Sequence, residues 1–189
     1  MDKDRLVEVG VSLVSRFGAR ALSLTSVARH AGVARATAYR MFGGRDALVG
    51  AIVDYEMSRM RTLISEWSAA EPDVPRRVHD RVVNTLQYLR DHKALQYVLR
   101  HEPEELVHTL VSGSDPDGPS LIALAVAAVE SDLGDDERAL LWPNPQAALE
   151  LIARVVYSSM LLPESVLSDT EIADMVVRAT GGDVDTLEM

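Results

Sequence analysis

Apolar residues Leu6, Val9, Leu13 and Phe17 recur at spacings of three and four, which places them on one helical face, and Gly18 supplies a C-terminal stop. Leu24-Thr25-Ser26 offers an N-cap hydroxyl ahead of Val27 to Ala31, a short helix closed by Gly32, the residue type that tolerates a left-handed turn. Val33 follows as an apolar anchor, Arg35 to Met41 makes a third short helix, and Gly43-Gly44 breaks it. From Arg45 onward Leu48, Ile52, Tyr55, Met60, Ile64 and Trp67 share one stripe of a long helix that ends before Pro72. Further helices are expected over Pro75 to Arg90, Lys93 to His101, Pro103 to Val111, Ser120 to Leu133, Gln146 to Leu162 and Asp169 to Thr180. The breaks fall at Asp91-His92, Pro103, Ser112 to Pro119 and an acidic turn, Gly134-Asp135-Asp136-Glu137. With no alternating run and no internal repeat, the fold class read from the pattern is all-α.

Charge changes the picture. The 189 residues carry a formal net charge of -10, which as an average argues against a nucleic-acid partner. By position the average dissolves: residues 1–48 hold eight basic and four acidic side chains, net +4, and the remainder carries -14. Between Ser15 and Arg45 stand six arginines and no acid. Such a split points to two modules with different partners, residues 1–48 and 49–189. The chain has no cysteine, which excludes a disulfide framework, a thiolate zinc site and a cysteine nucleophile. The longest apolar runs, Leu121 to Val129 and Val155 to Leu162, fall far short of the ~18–20 residues of a membrane span. The charged start Asp2-Lys3-Asp4-Arg5 is not a secretory signal, so a cytoplasmic location is expected.

Three short helices with a glycine turn between the second and third are the geometry of a helix-turn-helix, whose last helix enters the DNA major groove. Val27, Ala28, Ala31, Val33, Ala38, Met41 and Phe42 are the apolar or small positions that let two short helices cross closely. The outward positions of the third helix fall to Arg35, Ala36, Thr37, Tyr39 and Arg40. Arginine pairs with guanine edges, alanine or a threonine methyl meets a thymine methyl, and tyrosine hydrogen-bonds a phosphate.

The segment FGARALSLTSVARHAGVARATAYRMFGGRDAL resembles the N-terminal signature of the tetracycline-repressor (TetR) family of bacterial transcription regulators. Its elements stand here as Phe17-Gly18, Leu24-Thr25, Val27-Ala28, Ala31-Gly32-Val33, Thr37, Tyr39-Arg40, Phe42 and Arg45-Asp46-Ala47-Leu48. The resemblance implies that Arg35, Ala36 and Thr37 read bases while Tyr39, Arg45 and the helix start at Thr25-Ser26 hold phosphates. A helix N-terminus suits an anion on physical grounds as well. Ala34 departs from the usual hydroxyl residue and removes a side-chain cap, Arg45 replaces the usual lysine, and Gly43-Gly44 is looser than the usual linker.

For the acidic module, the small and branched residues of Ser120 to Leu133 and Gln146 to Leu162 fit two readings: an intersubunit four-helix bundle, or packing wholly inside one monomer. A dimer is expected independently, because one short recognition helix reads too few bases and a two-fold pair reads a palindrome. The resemblance implies a small-molecule effector, expected to be apolar or acyl, in a pocket for which Met60, Trp67, Tyr88, Tyr97, Tyr157 and Met160 are candidates. His101, Glu105 and His108 lack a metal-site spacing and read as solvated or capping residues, so no metal and no cofactor is expected. Glu102, Glu104 and Glu105 suit the first turn of the helix after Pro103. No nucleophile triad or phosphate loop stands out, so an enzyme is disfavoured. The expected function is a homodimeric, ligand-responsive DNA-binding repressor; the alternative is an all-α dimeric ligand-binding protein without specific DNA binding.

Overall fold

A computed structural model of the chain describes residues 3–68, 71–112, 119–162 and 164–181. Among these residues there are eleven helices and no strand; one isolated antiparallel bridge joins Leu141 and Gly181. The chain forms two compact units, one from Met1–Met60 and Asp91–Leu121, the other from Arg61–Arg90 and Ile122–Met189.

The first unit is built on α1 (Lys3–Phe17), α2 (Leu24–Ala31) and α3 (Arg35–Phe42), with the opening turns of α4 (Arg45–Ser68). It also contains α6 (Lys93–His101) and α7 (Pro103–Ser112). The buried face of α1 is Leu6, Val7, Gly10, Leu13 and Val14. Phe17, expected on that face, is 54% exposed, and Val9 is half-buried. The stripe has turned and widened because α1 is covered by both α2 and α6, a contact that no local pattern encodes. At Gly10 α4 comes close, since a Cβ there would lie 2.7 Å from Ile52 Cδ1. Ala94 and Val98 of α6 enter the same core as Leu6, Val27, Ala38 and Leu48. At the break before α6, the His92 ring accepts the Leu95 N–H at 3.2 Å and faces Glu56 Oε2 at 3.1 Å.

The second unit holds the last turns of α4, α5 (Val74–Asp91), α8 (Leu121–Glu130), α9 (Asp135–Leu140), α10 (Pro145–Leu161) and α11 (Asp169–Thr180). Val82 and Leu86 of α5 pack with Val156, Ile172, Ala173 and Val176. A second cluster joins Val126 and Leu133 to Leu141, Ala148 and Leu149, so α8 and α10 share a core within one chain. Asn144 caps α10 with Pro145 in its first turn, and a Ser168/Glu171 capping box opens α11.

Two sequence expectations fail in this unit. The helix expected to reach Leu133 ends at Glu130, where Ser131 Oγ donates to Ala128 O at 2.8 Å and Asp132 turns to Arg61. The expected acidic turn at Gly134 to Glu137 is instead the start of α9, three carboxylates in its first turn. Glu137 is 2% exposed and lies against the Arg77 and Arg81 guanidiniums. Those partners lie more than fifty residues upstream, so a local window reads only a run of solvated acids.

Candidate nucleic-acid interface

The register of α2 is set by its first residue. Leu24 is 2% exposed and belongs to the core, which pulls the helix start upstream and makes Ser23 the cap. Ser23 Oγ accepts the Ser26 N–H at 3.1 Å, and Ser26 Oγ accepts the Ser23 N–H at 3.1 Å. This corrects the expectation that Thr25 or Ser26 supplies the capping hydroxyl. The Ser26 side chain is therefore occupied by the capping box; Thr25 is exposed beside first-turn N–H groups that have no helical partner. His30, unremarked in the sequence, donates from Nδ1 to Ser26 O at 2.8 Å along the same helix.

The turn into α3 depends on Gly32, whose φ of 69° is left-handed. Its N–H reaches Arg29 O at 3.3 Å while the Val33 N–H reaches Ala28 O at 2.9 Å. Ala28, Ala31 and Ala38 are 2%, 5% and 0% exposed, and their small side chains let the two helices cross at close range. Ala34 caps α3 without a side-chain hydrogen bond, as its identity predicts.

Ala38 and Phe42 bury one side of α3, which leaves the other side to Arg35, Ala36, Tyr39 and Arg40, all exposed. Thr37, expected among them, is half-buried. Tyr39 is 40% exposed and stands outside the core. The Arg35 guanidinium lies 4.9 Å from the Tyr39 ring centroid, and its Nη2 donates to Tyr39 Oη at 3.3 Å. One helical turn thus places a planar cation against an aromatic face and restricts its rotamers at the surface. Arg45, at the start of α4, donates from Nη2 to Ala19 O at 2.9 Å and lies 3.7 Å from Glu105. Its charge is already anchored within the chain, whereas the Arg35 pair faces outward.

The glutamates at the α6–α7 corner do something the sequence did not reveal. Glu105 is paired with Arg20 and Arg45, and Glu104 with Arg20. Glu102, expected to serve its own helix electrostatically, is 7% exposed and accepts the Ala19 and Arg20 N–H groups instead. A proline right after a glutamate marks a helix start, and nothing in that dipeptide names a partner some eighty residues upstream. His101 packs its ring on Tyr97, with centroids 4.6 Å apart; the side chain of His108 lies outside the described residues.

Of the pocket candidates, Met60 and Tyr97 belong to the first unit and Trp67, Tyr88, Tyr157 and Met160 to the second. Trp67 and Tyr88 meet at 6.4 Å between centroids. Met160 is buried, and burial pushes the Tyr157 phenol up to about 12. A cavity of about 450 Å³ in the second unit is lined by other residues, including Arg61, Arg77, Arg81, Asp132 and Glu137. Its walls are ion-paired: Arg61 Nε and Nη2 each donate to Asp132 at 2.7 Å, which holds that carboxyl below its usual range.

A short helix pinned by its small side and exposing arginine and tyrosine on the other has the form of the second helix of a helix-turn-helix. Residues 6–52 match the family model for bacterial regulatory proteins of the tetR family. Residues 6–52 thus carry the helix-turn-helix domain of that family. The chain is 25% identical over 178 residues to an uncharacterised HTH-type transcriptional regulator of Mycobacterium tuberculosis strain H37Rv, covering 92% of this chain and 83% of that one. The solved structure of the TetR-family repressor AlkX from Dietzia sp. strain DQ12-45-1b, implicated in biodegradation of n-alkanes, shares the fold at a TM-score of 0.70. It is 18% identical and covers 93% of this chain and 90% of its own. RolR in complex with resorcinol shares it at a TM-score of 0.62 with 12% identity, covering 94% of this chain and 86% of its own. No helix among the described residues is long and apolar enough to cross a membrane.

Proposed function

We propose that this chain is a TetR-family transcriptional regulator: a homodimeric repressor, cytoplasmic in location, that occludes a promoter by reading a palindromic operator and is released by a small-molecule effector. The observation that carries the reading is the outer side of α3, where Arg35 and Tyr39 form an exposed pair opposite the buried Ala38 and Phe42. Arg35, Ala36 and Thr37 are assigned to bases; Tyr39, Arg40, Arg45 and the α2 start at Thr25-Ser26 are assigned to phosphates. Residues 1–48 are the reading domain in this proposal and residues 49–189 the regulatory domain.

Dimerisation is supported by Leu151, Leu161 and Leu162 at α10 and Met175 on α11, which are 41%, 38%, 70% and 56% exposed. Apolar side chains concentrated on neighbouring helices favour a partner of the same kind. The effector is assigned as an apolar or acyl molecule. The support is the aromatic and methionine content of the candidates Met60, Trp67, Tyr88, Tyr97, Tyr157 and Met160, together with a fold shared with a repressor implicated in n-alkane biodegradation.

Shift assays with promoter fragments from the source genome test the DNA reading. Wild-type chain is expected to retard at least one fragment more strongly than random duplex, and Arg35→Ala and Tyr39→Phe to weaken that complex. Equal retardation of every duplex would favour the dimeric ligand-binding protein without specific DNA binding. Sedimentation at micromolar concentration tests the dimer, and a monomer would end that part of the proposal.

A further inference from the structure

The helix-turn-helix contains its own anion site, and the chain fills it. Gly18 follows α1 with φ of 86°, and this left-handed residue turns the next two N–H groups toward a common point. Glu102 Oε2 occupies that point, accepting from Ala19 N–H at 2.6 Å and Arg20 N–H at 3.2 Å. The carboxylate sits so close over Gly18 that a Cβ there would overlap it. Glu102 itself is fixed twice over: it ends α6, its N–H donating to Val98 O at 2.8 Å, and its carbonyl accepts the Glu105 N–H at 3.0 Å as α7 begins. Val98 lies in the core shared by α1, α2 and α3.

We propose that Glu102 is a positioning residue for operator reading: its carboxylate fixes the α1–α2 turn to the α6–α7 corner and so sets the pose in which α2 and α3 meet DNA. The assignment rests on the DNA-reading function proposed above. The chain of contact is short. The turn carries Ala19, whose carbonyl holds Arg45 at the start of α4, and Leu22 and Leu24, which are 3% and 2% exposed at the entry to α2. A displaced turn shifts α2, and α3 follows through the Ala28, Ala31 and Ala38 crossing. A carboxylate accepting two N–H bonds is a stronger tie than a neutral acceptor, and a buried charge deprived of those bonds has nowhere comparable to go.

The test compares Glu102→Ala, Glu102→Gln and Glu102→Asp in the full chain. Each is measured for binding to the retarded promoter fragment and to random duplex, with thermal melting alongside. Gln keeps an oxygen in place for both N–H groups; Asp keeps the charge but is one methylene too short. The ratio of specific to random binding is expected to fall about tenfold in the Ala and Asp variants and to stay within about threefold in Gln. A merely structural role would lower the melting temperature and leave that ratio unmoved in every folded variant, which would overturn the assignment. If the Ala variant does not fold, Gln and Asp decide, and equal ratios for the two overturn it. Amide exchange separates this inference from the function beneath it. Without any DNA, Asp is expected to expose the Ala19 and Arg20 amides and shift resonances across Arg35–Phe42, and unchanged α3 resonances would refute the positioning role. A wild-type chain that prefers no promoter fragment defeats the DNA-reading proposal instead.

Discussion

Helices α2 and α3 are eight residues each and α9 is six, lengths at which no isolated helix is stable in water. They are held by different forces. The α2–α3 pair relies on small apolar contacts between neighbours in sequence, with a serine box at one end and a glycine turn in the middle. The α9 corner relies on a buried charge: the Glu137 side chain is 3% exposed between Arg77 and Arg81, whose side chains are 15% and 16% exposed. The first arrangement tolerates loss of a polar group and resists added volume. The second is expected to be sensitive to loss of the acid that Arg77 and Arg81 share.

The largest expected effect lies at α9. Glu137→Ala takes the buried carboxylate from Arg81 and from Arg77, although Arg77 keeps Asp136 and the Glu71 and Pro72 carbonyls, and is predicted to cost about 3 kcal/mol, read as a lower denaturant midpoint. A loss below about 1 kcal/mol would mean the acid is only a solvated charge. Next comes added volume at the crossing: Ala38→Leu is predicted to cost about 1–3 kcal/mol, because Ala38 is 0% exposed and the helices have no room to part. Ala34→Ser works in the other direction. It supplies the side-chain cap that α3 lacks and is predicted to stabilise by about 1 kcal/mol, with a rise in melting temperature as the check.

The smallest effect is on acid stability. Asp132 is held below its usual range first by hydrogen bonds from Arg61, and Glu171 by the backbone and side chain of Ser168. A carboxyl with a depressed folded pKa adds stability above its unfolded value, near 4, and that contribution is lost as pH falls through the lower folded value. Asp132→Asn and Glu171→Gln should therefore flatten the stability profile below about pH 4 and leave its slope at neutral pH unchanged. A profile unaltered in acid would show that these bonds do not favour the folded state.

The same contrast explains how much of the molecule was legible in its sequence. Ala28, Gly32 and Ala38 act on neighbours within a dozen residues, so their spacing sufficed to place the helix-turn-helix, the side of α3 that faces out and the missing cap at Ala34. Ser23 carries no recognisable cap signature in the sequence, because its box partner is Ser26 rather than the usual Glu or Gln. Phe17 fits the apolar spacing yet lies off the buried face, because α6, some eighty residues away, covers a different side of α1. By sequence Glu102 suits the first turn of the helix after Pro103 and Glu137 belongs to an acidic turn. Their partners are distant cations and backbone N–H groups, and local patterns carry no record of them.

If the exposed Arg35–Tyr39 pair of α3 meets DNA, with Arg35 on bases and Tyr39 on a phosphate, a titration of the protein on the promoter fragment it retards, at two salt concentrations, reports it. Arg35→Ala is predicted to weaken specific binding by about 1–3 kcal/mol, roughly fivefold to 150-fold, while binding to random duplex changes far less. Equal affinity of wild type and Arg35→Ala for that fragment, with the same salt slope, would contradict the account.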